Sequence, residues 1–101
     1  MKMIVEFDLD VDIIDVPQCV IDSKDQLRSR FLKWLYDESI KHKYWVETKD
    51  STGRKIRGLR YRSDAFVEWL NKKALSKTGE IAVILASRIS EYPEDLPKIF
   101  F

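Results

Sequence analysis

The 101-residue chain has one cysteine, one histidine, three glycines, three prolines and no apolar run of membrane-spanning length. A single Cys19 excludes an internal disulfide framework and any zinc site built from several cysteines, and fits a reducing compartment. One histidine and one cysteine are a thin supply for a nucleophile, a base and a charge stabiliser, so neither an enzyme nor a cofactor is expected. Without about 20 consecutive apolar residues no helix spans a bilayer. The opening MKMIVEFDLDVD turns acidic too early for a secretory leader, so a cytoplasmic protein with no membrane partner is expected. Internal repeats and low-complexity segments are also missing.

What is present argues for a folded chain. Hydrophobic residues make up 45%, including three Trp, four Tyr and five Phe, enough to offset ordering entropy although 35% of residues are charged. The length suits one α+β domain over residues 1–101. The net charge of +1 conceals a polarity: residues 1–22 carry one lysine and six carboxylates, whereas residues 24–62 carry twelve bases and five acids. The excess of bases peaks at Arg54, Lys55, Arg57, Arg60 and Arg62.

Residues 3–13 alternate, with Met3, Val5, Phe7, Leu9, Val11 and Ile13 on one side and Glu6, Asp8, Asp10 and Asp12 on the other, the pattern of one half-buried strand with an acidic solvent face. Pro17 ends easy pairing, and Ser23 with Gln26 has the form of a capping box. The helix so opened places Leu27, Phe31, Trp34 and Leu35 on one stripe and is expected to reach about Lys41. Tyr44 to Thr48 and Lys55 to Tyr61 read as a hairpin around a turn at 49–53. Ser63 or Asp64 starts a second helix with Phe66, Val67, Leu70 and Ala74 on one face and Gly79 past its end.

The run Ile81 to Ala86 fits a buried strand or a helix equally. A strand gives a β-α-β-β-α-β, ferredoxin-like order, and a helix leaves a three-stranded sheet packed with three helices. Residues 91–101 read as an irregular tail whose Ile99, Phe100 and Phe101 must dock or face a partner.

Several residues could carry chemistry. His42, in Lys41-His42-Lys43, reads as an exposed group at a helix C-terminus, and Cys19 as a small buried hydrophobe; a dyad of the two lacks any third group. Asp8, Asp10 and Asp12 would point one way along a strand, but same-face neighbours are about 7 Å apart, too far for three to grip one ion, so no metal is expected. They read instead as a solvated face or a protein-binding surface. The strongest candidate is Gly53 to Arg62, where five bases with no acid on a hairpin can reach phosphates while Tyr61 offers a stacking face.

The segment GRKIRGLRYRSDAFVEWL, Gly53 to Leu70, resembles the wing and following helix of excisionase-type small winged-helix DNA-binding proteins. That family has a Gly- and Arg-rich hairpin ending in an Arg-Tyr-Arg-like strand, then a helix with an acidic start and a Trp-Leu pair. The resemblance implies that Arg54, Lys55 and Arg57 touch phosphates from a wing, that Arg60 and Arg62 lie nearer its base, and that Trp69 and Leu70 are core. The family places two short helices before the wing, where this sequence reads as one long helix behind an acidic strand.

The expectation is therefore a small non-enzymatic DNA- or RNA-binding protein, of the accessory-regulator type found in phages and mobile elements, using Arg54, Lys55, Arg57, Arg60, Tyr61 and Arg62. The alternative is a protein-interaction module or inhibitor working through Asp8, Asp10, Asp12, Phe100 and Phe101. A homodimer through strand edges is compatible with either.

Overall fold

The computed structural model describes residues 1–101 and has an α+β fold. The N-terminal segment is a hairpin rather than one strand: β1 (Lys2–Phe7) and β2 (Asp10–Asp15) pair antiparallel through a turn at Asp8 and Leu9. Asp8 takes φ +54°, a left-handed conformation that aspartate tolerates better than most residues, so the turn forms without glycine. A two-residue turn reverses parity. Met3, Val5 and Phe7 face the core from β1, and their partners Ile14, Asp12 and Asp10 share that side of β2. Asp12 therefore enters the core, while Val11 and Ile13 turn to the opposite face.

Two helices follow, α1 (Gln18–Asp22) and α2 (Lys24–Leu35). Ser23 stands at the junction, but its hydroxyl makes no capping bond, so the expected capping box is not formed. Leu27, Phe31 and Leu35 are buried along the expected stripe. The helix stops well short of Lys41. Asp37 accepts the N–H (3.0 Å) and hydroxyl (2.6 Å) of Ser39, a local turn that competes with helical pairing and holds the Asp37 carboxyl below its ordinary range.

β3 (Trp45–Lys49) and β4 (Lys55–Leu59) form a separate two-stranded ribbon. α3 (Ser63–Trp69) runs into one wide π turn at Leu70–Ala74, closed by Leu75 N–H on the Leu70 carbonyl at 2.7 Å. The Asn71 side chain then accepts the Ala82 N–H (2.7 Å) and donates to its carbonyl (2.9 Å), so pairing of β5 (Val83–Ala86) begins one residue later. Residues 81–86 are thus a strand, but not a buried one: β5 lies at the sheet edge with Val83, Ile84 and Leu85 exposed.

The tail contributes a further strand, β6 (Lys98–Phe100), parallel to β1, completing the order β5-β2-β1-β6. This departs from both expected orders, since a hairpin replaces the first strand and a strand follows β5. Between β5 and β6 the chain crosses the outer face of the sheet. The Ile89 N–H bonds the Val11 carbonyl at 2.9 Å and the Pro97 carbonyl accepts the Ile4 N–H at 2.8 Å; Ile4 is wholly buried there, apart from the main core. On the inner face, Phe31 is ringed by Phe66 (5.3 Å), Phe101 (5.5 Å), Trp69 (5.8 Å), Trp34 and Tyr61 (both 6.1 Å). With extents of 46 × 34 × 19 Å, one helical layer covers one sheet face and the ribbon lies outside that sandwich.

Candidate nucleic-acid interface

The ribbon owes its shape to its tip. The Asp50 carboxylate accepts the Thr52 hydroxyl (2.6 Å) and the N–H groups of Thr52 and Arg54 (both 2.9 Å), and Gly53 supplies φ +84°. The Thr52 hydroxyl contributes most to holding the Asp50 carboxyl below its ordinary range. The acid inside this basic stretch is thus turned into its own loop, where it also meets Arg54 at 3.5 Å.

Register then decides which cations act together. Trp45 opposes Leu59, Glu47 opposes Arg57 and Lys49 opposes Lys55, so these six share one face, while Val46, Thr48, Ile56 and Gly58 form the other. Facing like charges destabilise a ribbon, yet Lys49 and Lys55 stand directly opposite with no carboxylate bound to either. One step inward, the Arg57 guanidinium lies 4.6 Å from the centre of the Trp45 ring, an aromatic shelf beneath a cation. Arg57 and Arg60 are exposed and take part in no ion pair; Arg54 is 80% exposed.

The remaining sequence candidates lie elsewhere. Tyr61 does not present its ring to solvent: it packs edge-on against Phe7 at 4.8 Å and against Phe31, and burial pushes its hydroxyl up to about 12. Arg62 is held by Asp10 at 2.8 Å. Lys49 and Trp45 complete the basic face although sequence reasoning passed over them; the signal was hairpin register, which brings both beside Lys55 and Arg57.

The acidic row is likewise dispersed. Asp8 is exposed at the turn, Asp10 pairs with Arg62 and reaches Arg88 at 3.7 Å, and Asp12 is 1% exposed beneath the Ser63 hydroxyl, which donates to it. No group of three or more His, Cys, Asp and Glu side chains is placed to hold a metal ion. Phe101 docks into the core beside Phe31 and Phe66, leaving Phe100 54% exposed as the free end of the tail. Cys19 is exposed rather than buried.

His42 is not a free group at a helix end. Its Nε2–H donates to the Leu35 carbonyl at 2.8 Å and its Nδ1 accepts the Tyr44 N–H at 3.2 Å, which leaves neither nitrogen for Cys19. The ring lies between Trp34 (4.5 Å) and Trp45 (5.5 Å, 8° from parallel), tying the root of the ribbon to the end of α2. The Trp45 indole N–H adds a bond to the Ile40 carbonyl at 3.0 Å.

No helix is long and apolar enough to cross a membrane. Compared with protein-family profiles, with curated proteins and with solved structures, the chain matches none.

Proposed function

We propose that this chain is a non-enzymatic nucleic-acid-binding protein that grips backbone phosphates with the β3–β4 ribbon. The observation that carries the reading is the Lys49–Lys55 pair, two facing cations that form no ion pair, continued by Arg57 over Trp45, with Glu47 the one acid on that face. A fold selected for stability alone gains nothing from that pair, whereas a phosphate between the two lysines turns repulsion into attraction. A two-stranded ribbon is also an element that the major groove of duplex DNA admits. Two helices, α1 and α2, stand ahead of the ribbon and α3 behind it, as in the excisionase-type family, although a β-hairpin precedes them and two further strands follow. That resemblance extends the reading to an accessory regulator of a phage or mobile element.

Fluorescence-polarisation titration of labelled duplex DNA, single-stranded DNA and RNA at two salt concentrations tests it. Saturable binding that weakens steeply with salt, and collapses when Lys55→Glu and Arg57→Glu are combined, is expected. Absence of binding to all three at low salt overturns it.

A second reading, self-association through the β5 edge, is favoured by one feature. Ile81 to Ala86 carries no charge and no proline, and Ile81 is 68% exposed, although the strand bulges at Leu85, where Ile14 and Ile13 of β2 face Ile84 and Ala86. In a two-fold antiparallel pair one residue must lie opposite its own copy, because hydrogen-bonded and non-bonded positions alternate. Sedimentation equilibrium of the wild type and of Leu85→Lys decides: a dimer lost in the variant supports the pairing, and a monomeric wild type at about 100 μM, which binding weaker than roughly −5.5 kcal/mol would give, removes it.

A further inference from the structure

Beside the root of the ribbon, between α2, residues 42–44 and the end of α3, lies a cavity of about 250 Å³. Its rings are already engaged with one another. His42 lies between Trp34 and Trp45, Trp34 also stacks on Phe31 at 6.1 Å, and Trp69 and Tyr44 are only 4% and 6% exposed. What the cavity offers a visitor is therefore charge, not a stacking face.

Lys43, Lys72 and Lys73 line it with a single carboxylate, Glu68, so three ammonium groups face one negative charge. Glu68 meets Lys43 at 2.7 Å and Lys72 at 2.8 Å and accepts the Tyr44 hydroxyl at 2.6 Å. Because an ammonium group has three donors, Glu68 holds these two lysines in place and leaves each with donors to spare. Lys73 has no ionic partner. The wide turn at Leu70–Ala74 gathers the group. At about 100° per residue, a regular α-helix carries the fifth residue after Glu68 about 140° round from it, whereas a turn closed from i to i+5 brings that residue back towards the same side. Lys73 accordingly joins Lys72 and Glu68 on one rim, and a concave site with surplus charge of one sign focuses its potential on an anion.

We infer that this rim is a second phosphate contact, reached at the root of the ribbon by the same nucleic-acid backbone that the ribbon grips near its tip. The inference rests on the ribbon reading and lengthens its footprint. Trp45 to Lys49 is four steps of about 3.4 Å, so the rim lies roughly 14 Å or more along the ribbon from the Lys49 and Lys55 pair. Each strand of a duplex carries a phosphate about every 3.4 Å of axis, so a backbone held at the tip still presents several at that distance. His42, parallel to the Trp45 ring, fixes the rim and the ribbon relative to each other.

The test reads salt dependence by polarisation titration of the full chain with labelled duplex and single-stranded DNA, each about 20 nucleotides per strand. Lys73→Gln breaks no ion pair. In whichever DNA is bound, it is expected to lower the slope of log affinity against log salt by about one, and the affinity at about 0.1 M salt roughly eightfold, at unchanged Tm. Lys77→Gln, at an exposed lysine outside the cavity lining, is expected to change neither. A Lys73→Gln slope equal to that of the wild type overturns the inference and leaves the ribbon reading standing. A wild type that binds neither DNA overturns it together with the ribbon's grip on DNA. An oligoglutamate of equal charge that competes as well as the DNA overturns the phosphate assignment in favour of an acidic protein segment.

Discussion

The carboxylate of Asp12 accepts the backbone N–H of Arg88 at 2.9 Å, joining residues 76 positions apart where the chain leaves β5. Arg88 has φ +53°, a left-handed conformation costing roughly 1–2 kcal/mol for a residue with a Cβ. Asp12 offsets that cost with one oxygen and takes the Ser63 hydroxyl at the start of α3 with the other. One buried carboxylate thus fixes both the exit of the edge strand and the helix leading away from the ribbon. Asp12→Ala strands both donors and is expected to lower stability by about 2–3 kcal/mol in urea unfolding. Asp12→Asn keeps one acceptor and should cost about half as much.

The same residue shows how far the sequence could be read. Alternation through 3–13 was legible, but a turn without glycine or proline leaves no mark, and one misplaced turn exchanges every inward and outward side chain beyond it. Asp12 was therefore expected in solvent, although Ile14 and Val16 at the same parity are both buried. The stripe Leu27, Phe31, Leu35 and the hairpin about residues 49–53 were readable because each rests on local spacing. Membership of β6 was not, because its pairing with β1 joins opposite ends of the chain. Within the basic stretch, composition located the ribbon, whereas the separation of exposed Lys55 and Arg57 from the internal pair of Arg62 with Asp10 depends on tertiary contact.

That separation makes a prediction about salt. Each phosphate contact contributes close to one unit to the slope of log affinity against log salt concentration. Replacing Lys49, Lys55 or Arg57 singly by Ala is expected to reduce the slope by about one, read from polarisation titrations at several salt concentrations. Arg62→Ala should leave the slope unchanged, because its charge is already spent on Asp10.

The last two residues are expected to differ although both are phenylalanine. Phe101 packs against Phe31 at 5.5 Å and Phe66 at 5.2 Å, and its N–H bonds the Glu6 carbonyl at 2.9 Å. Phe101→Ala should cost about 2 kcal/mol, a partly exposed site falling at the low end for aromatic deletions. Phe100→Ala, at a side chain 54% exposed, should stay within about 0.5 kcal/mol by the same thermal unfolding measurement.

Acid should report on Glu68. Hydrogen bonding to Lys43 first, then to Lys72 and the Tyr44 hydroxyl, lowers its carboxyl from the ordinary 4.5 to about 2. A carboxyl lowered by folding contributes stability in full above its unfolded value, and that contribution disappears as pH falls from about 4.5 towards 2. Lys43 and Lys72 are 67% and 69% exposed, so solvent screening reduces the effect to about 1 kcal/mol. Glu68→Gln, which keeps an acceptor for Tyr44 but cannot ionise, should remove this component. The difference in unfolding free energy between wild type and variant is expected to be about 1 kcal/mol at pH 7 and to shrink through that acid window. A difference that stays constant from pH 7 to 2.5 would assign Glu68 a packing role instead.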